Sequence, residues 1–291
     1  MDPYFTIQDS SEIITPAMVI FRDQLEANLD QMVEIAGDPA RLRPHCKTHK
    51  TREVVGLQLD RGITKHKCAT FAEAEMLVEV GVRDICLAYN LVGPNINRAV
   101  AFVEAYPDIV FSVTADHPDP TRELGAAMAG AGIELQVLLD VDTGQHRTGL
   151  VVGDDAASLY HQIAEDDGLV PGGFHVYDGH QHHESRDERR QAIDVEWARV
   201  IEFRDSLVAG GLPVPRIVAG GTASFPIYAE KDDPSIELSP GTCVYNDGGY
   251  ASYFPDLVFP PAAAVLTRVI SRPTANRITL DLGYKAVSSD P

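Results

Sequence analysis

Residues 42–80 read LRPHCKTHKTREVVGLQLDRGITKHKCATFAEAEMLVEV, and they contain the same pattern twice. Residues 42–47 and 65–69 have the composition of short strands, while residues 51–59 and 72–80 carry apolar side chains at helical spacing. A glycine follows each helical stretch, which is a typical stop signal. A strand followed by a helix, and then repeated, indicates parallel strands that are covered by helices.

The same alternation extends in both directions from this stretch. Strands are predicted at residues 17–21, 42–47, 65–69, 84–88, 109–113, 135–141, 173–177, 216–219 and 236–238. Helices are predicted at residues 22–35, 51–59, 72–80, 95–105, 120–131, 156–164 and 189–209. About eight short strands that are apolar on both faces favour a TIM-type (β/α)8 barrel. An open doubly wound sheet is the alternative, but it more naturally has about five to seven strands.

The composition changes after Gly241. Residues 242–291 are rich in Tyr, Val, Pro and Thr, with strand-like stretches at 264–271 and 277–282 and no helical period. The sequence therefore predicts a barrel domain over residues 15–241. We expect residues 242–291, together with residues 1–14, to begin a β-domain that is incomplete, because no closing strand is evident.

Composition and charge exclude several classes of protein. Acidic residues outnumber basic ones by 43 to 24, and the formal net charge is -19, which argues against the nucleic-acid backbone as a partner. No apolar run approaches the length of a membrane span, and the N-terminus lacks the apolar core of a signal peptide. The four cysteines form no C-x-x-C pair, so we expect reduced thiols in a cytoplasmic protein.

Residues 43–50, RPHCKTHK, concentrate two lysines, two histidines and a cysteine at the end of a predicted strand. An amine that is removed from water beside other cations has a lowered pKa and becomes a nucleophile toward carbonyl groups. Lys47, at the strand end, is the candidate for such an amine. The alternative is a basic strand end that is simply solvated.

Two later strand ends have the composition of anion-binding loops. Residues 219–224 read AGGTAS and residues 239–242 read SPGT, so backbone N–H groups can approach an anion and hydroxyls can add donors. Either segment alone could be an ordinary turn. As neighbours in a barrel they match the phosphate site that the last two strands often build. A phosphate site beside a reactive lysine suggests pyridoxal phosphate, with a barrel aldolase that uses its lysine directly on a sugar phosphate as the competing hypothesis.

A polar cluster, YDGHQHHE, occupies residues 177–184 at the end of the predicted strand 173–177. His180 and His182 could be a metal pair or an acid/base pair, or the segment could be a hydrated loop, and spacing does not separate these possibilities. Lys67 and Asp142 also lie at strand ends. We expect them to form ion pairs at the barrel mouth.

Four motifs together resemble a known family, the D-threonine aldolase and D-serine dehydratase family, whose fold is that of the alanine racemases. They are RPHCKTHK at 43–50, GQHRTG at 144–149, YDGH at 177–180 and GGT at 220–222, in the family's order, and the resemblance extends along residues 15–290. It implies that Lys47 carries pyridoxal phosphate, with Lys50 as the alternative. It also places Arg147 beside the cofactor's phenolic oxygen and Tyr177 near its pyridine ring, and it assigns the phosphate to Gly220, Gly221, Thr222, Gly241 and Thr242.

The resemblance further implies a function. It predicts a lyase that cleaves a D-3-hydroxy amino acid to glycine and an aldehyde, with His180 or a metal-bound hydroxide as the base. A D-serine or D-threonine dehydratase, in which Lys47 takes the α-proton, and a non-catalytic pyridoxal-phosphate carrier are the alternatives. Ser239 stands where the racemases of this fold have an arginine, which disfavours simple racemization.

The family also implies a divalent metal and a homodimer. The metal, Mn, Mg or Zn, is held in the family by a His-x-Cys or His-x-Asp pair of the C-terminal β-domain. No such pair follows Gly241 in this sequence. The metal is therefore expected from the resemblance alone, without ligands assigned in this chain.

Overall fold

A computed structural model describes residues 5–287 of the chain. Seven parallel strands form one sheet, in which each strand neighbours the next one along the chain. They are β2 (Lys65–Cys68), β3 (Asp84–Asn90), β4 (Val110–Ala115), β5 (Leu135–Val141), β6 (Leu169–Val176), β7 (Ile217–Ala219) and β8 (Ile236–Leu238).

An extended segment at residues 42–45 occupies the eighth position and closes the barrel. Leu42 forms a parallel bridge with Leu238 of β8, and His45 forms one with Lys67 of β2. The amide of Lys67 donates to the carbonyl of Pro44 at 2.9 Å. Pro44 has no N–H to donate, so the segment makes isolated bridges instead of a regular strand. The predicted TIM-type barrel is confirmed, and the segment of residues 42–45 takes the place of its first strand.

Helices cover the outside of the barrel. They are α1 (Arg22–Ala36), α2 (Arg52–Leu59), α3 (Phe71–Val80), α4 (Pro94–Ala105), α5 (Pro118–Gly130), α6 (Asp154–Glu165), α7 (Arg186–Ala209), α8 (Phe225–Ala229) and α9 (Gly248–Tyr253). Helix α1 buries Leu25, Leu29 and Met32, which lie on one face because they are three to four residues apart. None of the helices described here combines the length and apolar character that crossing a bilayer requires.

Strand β1 (Ala17–Ile20) lies outside the barrel sheet and pairs antiparallel with β9 (Ala263–Leu266). The sequence correctly predicts a strand here, but counting it among the barrel strands was wrong. The remaining strands, β10 (Val269–Thr274) and β11 (Arg277–Leu280), form a hairpin whose residues are all exposed. These pairings bring residues near both ends of the chain together, while the domain boundary at Gly241 stays a prediction.

A buried ionic network lies at the end of the barrel where the strands begin. The Arg43 side chain is fully buried and contacts Glu237 at 2.5 Å and Asp84 at 2.8 Å, and Lys65 Nζ lies 2.8 Å from Glu237. Burial alone would raise the pKa of Glu237. The contacts with Arg43 and Lys65 together outweigh burial and lower the pKa to about 2. Both Glu237 oxygens therefore stay charged and paired, and the network ties the closing segment to strands β2, β3 and β8.

Candidate functional site

A cavity of about 380 Å³ opens at the carboxyl ends of the barrel strands. This is the face on which barrel enzymes place their active sites. The residues that line it are His45, Lys47, Lys67, Ala69, Ala88, Tyr89, Asn90, Thr114, Asp140, Arg147, Thr148, His175 and Tyr177. Lys47, Arg147 and Tyr177, which the sequence singles out separately, thus face one space.

Lys47 lies in a short 3-10 helix, Cys46–Thr48, directly after the closing segment of the barrel. The Nδ1 atom of His45 accepts a hydrogen bond from the Lys47 amide at 3.2 Å, which fixes the turn that presents the side chain. Lys47 is exposed at the cavity wall, contrary to the expectation of a buried amine. Lys50 is also exposed and does not line the cavity, so geometry favours Lys47 as the functional lysine.

The histidines next to Lys47 are neutral. Burial lowers the pKa of His49 to about 4. Burial, followed by the charge of Lys67, holds the pKa of His45 well below its usual value. The cations that share the cavity with Lys47 are therefore Lys67 and Arg147, and the positive setting expected around Lys47 comes from more distant parts of the sequence.

Lys67 is the buried amine of the cavity. Its side chain lies 2% exposed, its Nζ atom is 3.4 Å from Nε2 of His175, and burial lowers its pKa to about 8. Nδ1 of His175 in turn lies 2.7 Å from Oδ1 of Asp140. The predicted ion pair of Lys67 is wrong, since no carboxylate among residues 5–287 lies within ion-pair distance of it. Asp142 does contact a basic group, at 2.7 Å from Nδ1 of His146.

The two glycine loops approach each other beside Tyr177 and His45, two residues that line the cavity. Thr222 Oγ1 accepts hydrogen bonds from the amides of Gly241 and Cys243, both at 3.2 Å, so it ties the loop after β7 to the loop after β8. A Cβ atom at Gly241 would lie 3.3 Å from the carbonyl oxygen of His45. The close packing places the second loop against the segment that carries Lys47, and Thr242 follows at the start of a 3-10 helix.

Glycine is required at two positions of the first loop. Gly220 has a φ of 78°, and a Cβ atom there would lie 2.8 Å from the ring of Tyr228. A Cβ atom at Gly221 would lie 3.1 Å from the ring of Tyr177. The amide of Gly221 donates to Ser224 Oγ at 2.9 Å.

Tyr177 connects the glycine loop to the cations. Its ring packs beside Gly221, and its centroid lies 5.1 Å from the guanidinium carbon of Arg147 and 5.8 Å from Lys67 Nζ. Ser224 Oγ donates to Oδ1 of the neighbouring Asp178 at 2.7 Å, which anchors the end of β6 to the same loop. Tyr177 therefore lies between the first glycine loop and the cavity.

His180 does not line the cavity. Its Nε2 atom lies 3.1 Å from Oε1 of Glu196 on α7, and it lies next to Gly144, whose Cβ would be 3.0 Å away. His182 instead stacks near Phe254, with ring centroids 6.3 Å apart. The two histidines thus have separate surroundings, and the structure does not pair them as metal ligands.

A possible set of metal ligands lies elsewhere, at His45, Cys46 and Glu73. Their ligand atoms all lie within 4.8 Å of one another. Burial and the Glu73 carboxylate raise the pKa of the Cys46 thiol, which donates to Glu73 at 3.7 Å. Sequence analysis missed the cluster because Glu73 lies on α3, where it accepts from the amide of Ala69 at 2.8 Å like an ordinary structural carboxylate.

Asp140 and His175 were also missed as site residues. Both are polar residues inside otherwise apolar strands, LQVLLDV for β5 and LVPGGFHV for β6. A polar side chain at such a position must find a buried partner, because an unpaired polar group in the interior is costly. That signal was available in the sequence, although it does not reveal which partner each residue finds.

The sequence of the chain is similar to one protein family and to several aldolases. The profile of a family described as alanine racemase, N-terminal domain, matches residues 20–248. The chain is 32% identical to a D-threonine aldolase from Arthrobacter over 289 residues, which cover 96% of this chain and 74% of that protein. It is 28% identical to a 3-hydroxy-D-aspartate aldolase from Paracoccus denitrificans, over 97% of this chain and 75% of that protein.

Solved structures agree with the sequence matches. A D-threonine aldolase from Filomicrobium marinum superposes with a TM-score of 0.85 at 29% identity, over 94% of this chain and 74% of that one. A D-threo-3-hydroxyaspartate dehydratase from Delftia gives a TM-score of 0.82 at 26% identity, over 96% of this chain and 74% of that one. An alanine racemase from Clostridium difficile, with a TM-score of 0.70 at 16% identity, covers 94% of this chain and 73% of that one and shares the fold.

Proposed function

The chain belongs to the alanine racemase N-terminal domain family, and from this premise we propose that it is a pyridoxal-phosphate-dependent lyase of D-3-hydroxy amino acids. The proposed reaction is of the D-threonine aldolase type and gives glycine and an aldehyde. The observation that carries the proposal is that Lys47, Arg147 and Tyr177 line one cavity beside two interlocked glycine loops. An amine and an anion-binding loop at one cavity suit a cofactor that has both an aldehyde and a phosphate.

The residues in and beside the cavity are of the kinds that this cofactor needs. Lys47 Nζ would hold the aldehyde carbon, and Arg147 would bind an anionic ring oxygen. Gly220, Gly221, Thr222, Gly241 and Thr242 would hold the phosphate, because the Thr222 hydroxyl ties the two loops together and both loops offer backbone N–H groups and hydroxyls to an anion. When bound, pyridoxal phosphate withdraws electrons from the α-carbon of the substrate, which allows a bond at that carbon to break.

His180 is the proposed base that takes the proton of the substrate's β-hydroxyl. It does not itself line the cavity, but it lies next to Gly144, in the loop that also carries Arg147. The contact of its Nε2 atom with Glu196 supports the proposal, because a carboxylate stabilises the imidazolium that forms when the proton is accepted.

The reaction can be tested by incubating the purified chain and pyridoxal phosphate with D-threonine, 3-hydroxy-D-aspartate and D-serine. We expect glycine from the first two substrates, with acetaldehyde as the second product from D-threonine. L-threonine is the matched control and should give at least about a hundredfold less glycine, since the site holds only one face of the α-carbon in the correct orientation. Pyruvate from D-serine without glycine from D-threonine would contradict the aldolase proposal.

A dehydratase is the second candidate, because the matched structures include the Delftia D-threo-3-hydroxyaspartate dehydratase. In that reaction Lys47 Nζ would take the proton from the α-carbon and the hydroxyl would leave. A non-catalytic carrier is the third candidate. It would bind pyridoxal phosphate but convert none of the three D-amino acids, even with added Mn²⁺, Mg²⁺ or Zn²⁺.

A divalent metal is part of the proposal. We expect dialysis against EDTA to lower the rate of glycine formation at least about tenfold, because a metal that polarises the β-hydroxyl contributes several kcal/mol. Adding back Mn²⁺, Mg²⁺ or Zn²⁺ should restore the rate. Glycine formation at the full rate after dialysis, with no metal detected by mass spectrometry, would argue against a metal.

We also propose a homodimer. Support comes from the hairpin of β10 and β11, where Val269, Ile270 and Ile278 are each more than half exposed. Adjacent exposed apolar side chains are typical of a surface that another chain covers. Sedimentation analysis should give twice the mass of one chain. A species with the mass of one chain at micromolar concentration would contradict the dimer.

A cytoplasmic location completes the proposal. All four cysteines are buried free thiols. Reduced buried thiols are typical of proteins in a reducing compartment. Fractionation of cells that express the protein would test this location.

A further inference from the structure

Lys67 lines the cavity and has no part in the reaction proposed above. It lies on β2, inside the barrel, and it is 2% exposed although it lines the cavity. Most buried lysines are paired with a carboxylate, because a lone buried charge is costly. Lys67 has no such pair among residues 5–287, and its nearest polar contact is Nε2 of His175 at 3.4 Å.

The neighbours of Lys67 define which atoms carry protons. Oδ1 of Asp140 lies 2.7 Å from Nδ1 of His175, so Nδ1 of His175 is the donor and Nε2 is left as an acceptor. Burial, followed by the charge of Lys67, lowers the pKa of His175, which keeps the ring neutral. A neutral Nε2 can only accept, so the geometry requires Lys67 Nζ to donate to it as an amine or ammonium.

The hydrogen-bonded series from Asp140 through His175 to Lys67 favours the ammonium form of Lys67. Burial alone would raise the pKa of Asp140. Its hydrogen bonds, first of all the one from His175, outweigh burial and lower the pKa below its ordinary value, so this carboxylate stays ionised. Titratable and charged groups face Lys67 from each surrounding element. They are Cys86 on β3, Asp140 on β5, His175 on β6, Asp178 after β6, Arg147 after β5, His45 on the closing segment and Lys47 directly after it.

We propose that Lys67 is the fixed cation of the cavity, held by His175 and Asp140, and that its ammonium would stabilise negative charge on a conjugated aldehyde cofactor bound in this cavity. This inference rests on the proposed function, since it requires pyridoxal phosphate in the cavity. Lys67 is a positioning residue in this role and takes no part in bond making. A charge at short range in a poorly solvated cavity acts strongly, because few water molecules screen it.

The proposal can be tested from the colour of the bound cofactor. The visible absorbance band of pyridoxal phosphate linked to the protein changes with protonation, and its midpoint is measured by pH titration of wild type and Lys67→Met. The variant replaces the ammonium with an apolar side chain of similar length. We expect the midpoint to rise by about one to two pH units, because removing a nearby positive charge makes protonation of the cofactor easier.

Two further variants separate charge from structure. Lys67→Arg keeps the positive charge and should leave the midpoint near that of wild type. Lys65→Met is the matched control, since Lys65 lies on the same strand but pairs with Glu237 at the other end of the barrel, at 2.8 Å. It should not move the midpoint. If Lys67→Met does not fold, Lys67→Gln serves as the neutral variant under the same criterion.

The outcomes distinguish this inference from the proposed function. A wild-type chain that forms no absorbance band overturns both. A band that forms in wild type and in the neutral variant with the same midpoint overturns the role of Lys67 and leaves the proposed cofactor intact. A midpoint that rises equally in Lys67→Arg also overturns it, because the effect would then follow from packing and not from charge.

Discussion

Replacing Lys47 by alanine is expected to abolish covalent binding of pyridoxal phosphate and to lower turnover of D-threonine by at least about a thousandfold. The reason is that Lys47 lines the cavity beside the glycine loops and is the amine that would hold the cofactor's aldehyde. Losing a group that forms the covalent link removes a step that other residues do not replace, and such losses in enzymes are of this size or larger. The measurement is the visible absorbance band, followed by the rate of glycine formation.

Lys50→Ala is the matched control for this experiment. Lys50 is three residues further along the chain and is also exposed, but it does not line the cavity. It should keep the absorbance band and most of the turnover. Reduction of the wild-type protein with borohydride, followed by peptide mass analysis, identifies the linked lysine directly. A label on Lys50 or on the buried Lys67 would reassign the link and contradict the role of Lys47.

The repeat of strands and helices was predictable because it depends on local sequence. Most barrel strands are short, mainly apolar runs, and the longer helices show an apolar face, so both periods can be read without knowing any long-range contact. The family resemblance is confirmed by the matched family profile and by the similarity to aldolases of D-3-hydroxy amino acids. The pairing of β1 with β9 was not predictable, since it joins Ala17 to Leu266 across most of the chain.

The candidate site was predicted in part for the same reason. The glycines and Lys47 lie in recognisable motifs, and a motif is local. The partners of Lys67 are His175, 108 residues away, and through it Asp140, so the sequence gives the charged residue without the contacts that determine its state. Lys67 was expected in an ion pair because local sequence does not distinguish a lysine at an exposed strand end from a lysine buried inside the barrel. Burial decides between them, and burial belongs to the folded chain.

Arg43→Met is expected to lower the free energy of unfolding by about 3–5 kcal/mol. Arg43 is fully buried and holds Glu237 and Asp84 at the end of the barrel where the strands begin. Removing it leaves Glu237 with Lys65 alone, and a buried carboxylate that loses a partner is costly. Denaturation with urea measures the change. Arg52→Met is the matched control, since Arg52 pairs with Glu79 at the surface, and it should cost less than about 1 kcal/mol.

The cost of Arg43→Met should also depend on pH. In wild type the pKa of Glu237 lies at about 2, below its ordinary value of 4.5, so the stability it contributes is fully present above pH 4.5. That contribution is lost as the pH falls through the folded-state value, because the carboxylate takes up a proton. The difference in unfolding free energy between wild type and Arg43→Met should therefore narrow between pH 4.5 and about 2. A difference that stays constant over this range would mean that Arg43 stabilises the barrel through packing of its side chain and not through its charge.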